Sequence, residues 1–342
     1  MSSENINDEK YSFDIGPIRP PSEGGVSSLL IRPTRNCPWN KCAFCSLYKG
    51  EKFQIRKVEE IKGDIDAVKR IEELIKEGSD EVNKVPRRCL TMVFAWVRSG
   101  KRTVFLQDSN TPIMRTSQLV EVIEYLRETF PAIERVTSYA RSKTIARKSL
   151  EDLSELKEAG LGRLHLGLES GDDDILKMVN KGVTAEEHIE AGQKALEAGF
   201  ELSEYVMPDL GGRELFEEHA LNTANVLNKI NPDYIRMRPL SVRKGTKLYE
   251  KWEKKDFQLS SPHERLREIK IMIKNLEVSA KLCFDHRLNG WRDKSGNRLF
   301  KVDYEGYELP EEKDLLLSLV EEGLRVDESH HLDVRKLKTP SL

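Results

Sequence analysis

The 342-residue sequence predicts an α/β fold: a partial (β/α)6 TIM-like barrel with a mainly helical C-terminal extension. Three observations predict it. Short β-prone runs alternate with amphipathic stretches six times between residues 26 and 240, residues able to do chemistry gather just after the strand ends, and the rhythm stops at residue 240. Alternation of this kind implies parallel strands joined by right-handed crossovers, with the active face at the strands' C-terminal ends. A doubly wound open sheet is the alternative arrangement of the same units.

The elements follow in order. "VSSLLIRPT" (26–34) reads as the first strand, and Ile61, Ile65, Val68, Ile71 and Ile75 recur at helical spacing to predict a helix over about 57–77. "TVFLQ" (103–107) is the second strand, followed by a helix carrying Leu119, Val122, Ile123 and Leu126. "RVTSYA" (135–140) is the third, with a helix over about 148–159 that stops at Gly160. "RLHLGLE" (163–169) is the fourth, and Thr184 with Glu187 spells a capping box that starts a helix running to Gly199. "ELSEYVM" (201–207) and a helix over about 213–229 form the fifth unit, and "DYIRMRPL" (233–240) is the sixth strand. Residues 1–25, polar and rich in Pro and Gly, read as a flexible lead-in. Residues 241–342 read as an extension with helices at about 261–279 and 310–323, packing on the barrel or covering its mouth.

Composition narrows the function classes. Apolar residues make up 38% and charged residues 33%, which reads as a soluble globular protein. The formal net charge is −2, so no global field recruits nucleic acid or an anionic membrane, and basic residues such as Arg236, Arg238, Arg243 and Lys244 read as a solvated face. No apolar run approaches the ~20 residues of a membrane span. The N-terminus lacks the basic start and apolar stretch of a secretory signal. Five cysteines is an odd count, and three of them are too closely spaced for an ordinary disulfide framework, which favours a reducing, cytoplasmic setting.

Those three cysteines, in "RPTRNCPWNKCAFCSLYKG" (32–50), carry the functional reading. A zinc site wants four ligands in a closed tetrahedron, and Cys89 and Cys283 stand alone and far apart. They read as buried thiols. A thioredoxin-like pair would use Cys42 and Cys45 and leave Cys37 unexplained. The third reading is an iron–sulfur cluster held by Cys37, Cys42 and Cys45, with one iron open to an outside ligand.

The trio, set directly after a first strand and followed by five more strand–helix units, resembles the radical S-adenosylmethionine (radical SAM) superfamily. It is similar to the branch related to methylthiotransferases and oxygen-independent coproporphyrinogen oxidases. The family's usual spacing is Cys-x3-Cys-x2-Cys; this chain has Cys-x4-Cys-x2-Cys. The resemblance implies a [4Fe–4S] cluster and S-adenosylmethionine as cofactors. It also implies reductive cleavage of the sulfonium to a 5′-deoxyadenosyl radical, hydrogen abstraction from an unnamed substrate, and a reductant such as ferredoxin or flavodoxin. Phe44 takes the aromatic position before the last cysteine, where the resemblance implies contact with adenine. "LQDSN" (106–110) stands where the family holds the methionyl ammonium, which implies roles for Asp108 and Ser109. "LHLGLESGDDDILKMVNKG" (164–182) resembles the fourth-strand signature, which implies that Glu169 faces the ribose and Lys181 approaches the carboxylate. "TSYARSK" (137–143) would bring Tyr139 and Arg141 to the barrel mouth. Met207 and His165 read as core residues. With no second three-cysteine set and no evident cobalamin domain, a single-cluster enzyme is expected. The rival class is a non-catalytic iron–sulfur or zinc-binding interaction module.

Overall fold

Alternating side chains along each strand decide how this chain layers. Val104, Leu106, Val136, Leu164, Leu166, Leu202 and Ile235 are fully buried, while their neighbours Phe105, Tyr139, His165 and Tyr205 point the other way and touch one another. The first set meets the helices; the second fills the concave interior. The computed structural model describes residues 9–17 and 27–337. Much of the stretch read as a lead-in therefore lies outside the described residues. Of the part inside, Tyr11, Phe13 and Ile15 are buried in the main core, and Asp14 pairs with Arg32 at 3.0 Å and Arg35 at 2.5 Å.

In chain order the elements are β1 (Leu29–Ile31), β2 (Thr34–Arg35), β3 (Gln54–Ile55), α1 (Val58–Glu77), α2 (Arg87–Arg98), β4 (Thr103–Leu106), α3 (Thr116–Thr129), β5 (Arg135–Ala140), α4 (Ser142–Arg147) and α5 (Leu150–Ala159). They continue with β6 (Leu161–Glu169), α6 (Asp173–Met178), α7 (Ala185–Glu197), β7 (Glu201–Val206), α8 (Phe216–Ile230), β8 (Tyr234–Met237), α9 (Lys247–Glu253), α10 (Pro262–Asn275), β9 (Lys281–Cys283), β10 (Tyr307–Glu308) and α11 (Lys313–Arg325). The main sheet runs β1-β4-β5-β6-β7-β8-β9-β10, parallel throughout except for the last, antiparallel pair. Its ends, β1 and β10, are not paired with each other, so it is a partial barrel.

The expected local signals act as written. Ile61, Ile65, Val68 and Ile71 are fully buried along α1, which ends in a left-handed Gly78 at φ 63°. The Thr184–Glu187 capping box forms at the start of α7. Several short elements, among them β2, β3, α6 and α9, were not read in the sequence. The helix expected over 148–159 forms as α5, capped by Ser149 and ended by Gly160, but the short α4 just before it was not read. Helix α2 was not read at all, although Cys89, Met92, Val93 and Trp96 repeat at helical spacing and are all buried. The sheet also gains β9 and β10 from the segment assigned to the helical extension; with three and two residues, they are too short to leave a period of their own.

A second, smaller apolar cluster sits at the barrel mouth. It joins Ala43 of the cysteine loop to Val179, Leu210, Leu240, Leu248 on α9, Leu259, Leu288 and Val334, with Phe44 and Met207 against it. Among the described residues, no helix is long and apolar enough to cross a membrane.

Candidate active site

The loop between β2 and β3 carries all three close cysteines, and these two short strands pair antiparallel to close its base. Left-handed residues Asn36 (φ 70°) and Asn40 (φ 46°) turn the chain inside it. Lys49 Nζ donates to the carbonyls of Asn40 and Cys42, tying down the turn at 2.8 and 3.2 Å. Outside partners then fix its position. The Ala43 N–H donates to Val179 O at 2.7 Å, and the Leu248 N–H donates to Ala43 O at 3.0 Å. Trp39 Nε1 donates to Asn180 O at 2.7 Å, with its ring over Gly182; φ there is 73°, and a Cβ would overlap the indole.

Asp108 and Ser109 brace this loop from below. Asp108 is fully buried; its Oδ2 accepts two N–H groups of Arg32 at 2.8 and 2.6 Å and the Asn36 N–H at 2.9 Å. Ser109 Oγ donates to Asn36 O at 3.0 Å. The resemblance implied that Asp108 meets an ammonium; in the structure its Oδ2 is answered by the Arg32 guanidinium, while its buried Oδ1 makes no hydrogen bond among the described residues. The reason is local: β1 runs beside β4, so Arg32 and Asp108 leave neighbouring strands side by side.

On the opposite side of the loop, Glu169 and Lys181 form an ion pair at 2.9 Å, each side chain 13% exposed. Lys181 is deeply buried, which by itself lowers an amine's pKa, yet Glu169 and Cys42 draw it above its usual value. Arg141 donates to Lys181 O at 3.0 Å, lies 5.2 Å from the Trp39 ring and faces Cys37 and Cys42; burial outweighs their attraction and lowers its pKa. Tyr139 sits deeper in the concave interior, its hydroxyl 3.5 Å from that of Tyr205. Phe44 and Cys45 share a cavity of about 200 Å³ with Met207, Arg238, Leu240 and His286. Arg141, Lys143, Arg147 and Lys148 line a cleft of about 530 Å³ at the loop's other side, beside Pro38 and Trp39.

The basic residues read as a solvated face divide. Arg236 and Arg238 are inside the barrel, ion-paired to Asp285 at 3.5 and 2.8 Å. Sequence reading missed this partnership because Asp285 follows β9, which left no signal. It also missed Glu204 on β7. Glu204 is fully buried, and among the described residues neither oxygen makes a hydrogen bond of normal geometry. Burial pushes its carboxyl up to about 8 against the pull of Lys181. Met207 is half-buried against the second core, His165 is buried among aromatic rings, and Cys89 and Cys283 are buried thiols.

The donor set suits a soft polynuclear centre. Cys37, Cys42 and Cys45 are reduced and partly accessible. Burial pushes Cys42 up to about 11 and raises Cys45; Cys45 and Cys37 add to the rise at Cys42, and Cys37 to that at Cys45. Three such sulfurs become stable thiolates when metal cations answer them. Among the described residues, no three His, Cys, Asp or Glu side chains converge as a single ion requires. A cluster takes one sulfur per iron, and three cysteines on one loop match that need.

A parallel partial barrel with three thiols on the loop after its first strand defines a class: an enzyme with iron–sulfur chemistry at the barrel mouth. Residues 31–223 match the Radical SAM superfamily, and the chain belongs to that family. The family's cofactors are a [4Fe–4S] cluster and S-adenosylmethionine. Among curated relatives, the tRNA uridine(34) acetyltransferase of Methanocaldococcus infernus is 24% identical over 268 residues, 71% of this chain and 48% of that protein. Elongator complex protein 3 of Homo sapiens is 24% identical over 277 residues, covering 72% and 48%. The chain thus spans about half the length of these relatives. Among solved structures, coproporphyrinogen III oxidase of Escherichia coli aligns with a TM-score of 0.49 and 18% identity, covering 72% of this chain and 51% of that one.

Proposed function

We propose that this chain is a single-cluster enzyme that cleaves S-adenosylmethionine reductively and removes a hydrogen atom from its substrate. The observation that carries this reading is the placement of three thiols on one braced loop, between the Glu169–Lys181 pair and the cavity lined by Phe44, Cys45 and Met207. When bound, the reduced cluster and S-adenosylmethionine supply a 5′-deoxyadenosyl radical able to take hydrogen from carbon.

The chain's own residues have separable tasks. Cys37, Cys42 and Cys45 would hold the cluster. Glu169 offers carboxylate oxygens to ribose hydroxyls, and Lys181 and Arg141 supply positive charge for the methionyl carboxylate. Ser109 with nearby backbone carbonyls receives the ammonium, while Asp108 acts through Arg32 and Asn36 to hold the loop. Phe44 covers the adenine, and Tyr139 closes the interior beneath. Leu248 and Leu288 of the C-terminal extension cover the mouth, keeping water and stray C–H groups away. The electron would come from a carrier such as ferredoxin or flavodoxin in the cytoplasm, and the basic cleft beside Trp39 suits an acidic carrier.

Anaerobic reconstitution with iron and sulfide tests this. The protein should turn brown with absorption near ~400 nm, and dithionite plus S-adenosylmethionine should release 5′-deoxyadenosine. Replacing Cys37, Cys42 or Cys45 by Ala should reduce bound iron to background. A full iron complement in any of the three variants contradicts the assignment.

A further inference from the structure

Glu169 is held in an unusual way. It ends β6 with φ 64°, a left-handed backbone that a non-glycine residue keeps only where its surroundings impose it. Both acceptor positions of its carbonyl are used: the Met207 N–H donates at 2.9 Å, and His219 Nε2 on α8 donates at 3.2 Å. The other ring nitrogen, His219 Nδ1, stands 2.5 Å from Glu268 Oε1 on α10. A carboxylate on one side and a carbonyl on the other are both met when each nitrogen carries a proton, the imidazolium form. Burial would lower the His219 pKa, but Glu268 more than offsets this and raises it. Both side chains are fully buried.

The same carboxylate grips a second left-handed residue. Glu268 accepts the backbone N–H of Asp209 (φ 73°) at 3.0 and 2.8 Å, just beyond β7. Helix α8 also clamps the residues after Glu169: Thr223 Oγ1 accepts the Gly171 N–H at 2.9 Å, and Asn222 Nδ2 donates to Asp172 at 2.6 Å. A Cβ on Gly171 would overlap the α8 backbone, so the approach is close. None of these α8 and α10 groups lines the cavity beside Cys45.

We infer that the buried His219–Glu268 pair is a positioning device, which fixes the Glu169 backbone so that its carboxylate meets the bound S-adenosylmethionine. The inference rests on reading Glu169 as a cofactor contact. It gives α10, which lies in the C-terminal extension, a defined task at the barrel mouth. The pair touches neither cofactor nor substrate; it acts through one carbonyl.

The test compares S-adenosylmethionine binding by equilibrium dialysis, iron content and thermal midpoint across reconstituted variants. His219→Ala should raise the cofactor Kd roughly 10-fold, the size seen when supporting groups are removed, with iron unchanged. His219→Gln, whose amide N–H reaches where Nε2 stands, should restore most of the affinity. Leu227→Ala, a fully buried cavity variant elsewhere on α8, should lower the midpoint without moving Kd. Glu169→Ala run in parallel separates two failures: if it leaves Kd unchanged, the reading of Glu169 falls. If it weakens binding while a folded, iron-complete His219→Ala does not, the positioning role falls. Should His219→Ala not fold, Glu268→Gln decides, because neutralising the ring's partner must then weaken cofactor binding several-fold; parental affinity overturns the inference.

Discussion

Single residues at this site are defined by what surrounds them more than by type. Glu204 and Glu169 are both glutamates near Lys181, yet Lys181 pairs with Glu169 and leaves Glu204 a buried acid. The consequence is measurable. Because the folded-state value of about 8 exceeds the usual 4.5, the folded protein keeps a proton that the unfolded chain has released. Stability therefore falls as pH rises from about 4.5 to about 8, and the loss persists above that range. Glu204→Gln should gain about 1–3 kcal/mol relative to the parent at pH 8.5, with the difference much smaller at pH 4.5. Chemical denaturation at the two pH values reads this, and an equal gain at both would remove titration as the cause. Glu169→Ala should weaken S-adenosylmethionine binding at least several-fold while the iron stays; loss of both together would mark Glu169 as a structural residue.

Elements place these residues by docking on one another. The cysteine loop leans on the turn after α6 through Trp39, Asn180 and Gly182, and that turn also carries Lys181. One contact therefore couples thiols and cation. Gly182→Ala introduces two penalties at once, a Cβ against the indole and a left-handed alanine, together about 2–4 kcal/mol. The expected outcome is a lowered thermal midpoint and faster iron loss to a chelator than in the parent. If the midpoint drops and iron loss keeps its parental rate, the loop does not depend on this seat.

Across the whole molecule, the C-terminal segment is part of the sheet and of the mouth. β9 extends the parallel sheet beside β8, Asp285 pairs with both Arg236 and Arg238, and Leu248 packs against the cysteine loop. If this segment limits access to the mouth, Leu248→Ala should cost about 2–4 kcal/mol and raise 5′-deoxyadenosine release in the absence of substrate. Product assays under dithionite check the second part; release at the parental rate would leave Leu248 a packing residue alone.

The six-unit alternation, the close cysteines and the Thr184–Glu187 cap were legible in the sequence because each is local. Periodicity shows itself within ten to fifteen residues, and three thiols in nine residues need no tertiary contact to be noticed. Short elements were not legible: β9 and β10 carry too few residues for a period, and the six-residue α4 ends before the helix read over 148–159 begins. Partner choice was not legible either, since charge pairing depends on which strands lie side by side. Arg32 reaches Asp108 across 76 residues, Arg238 reaches Asp285 across 47, and His219 reaches Glu268 across 49. The sequence by itself determined the repeating architecture and which three cysteines lie together on one loop. Only the tertiary structure decided which buried charges are answered and which carbonyl is held, because those are set by distances between chain segments that local composition does not encode.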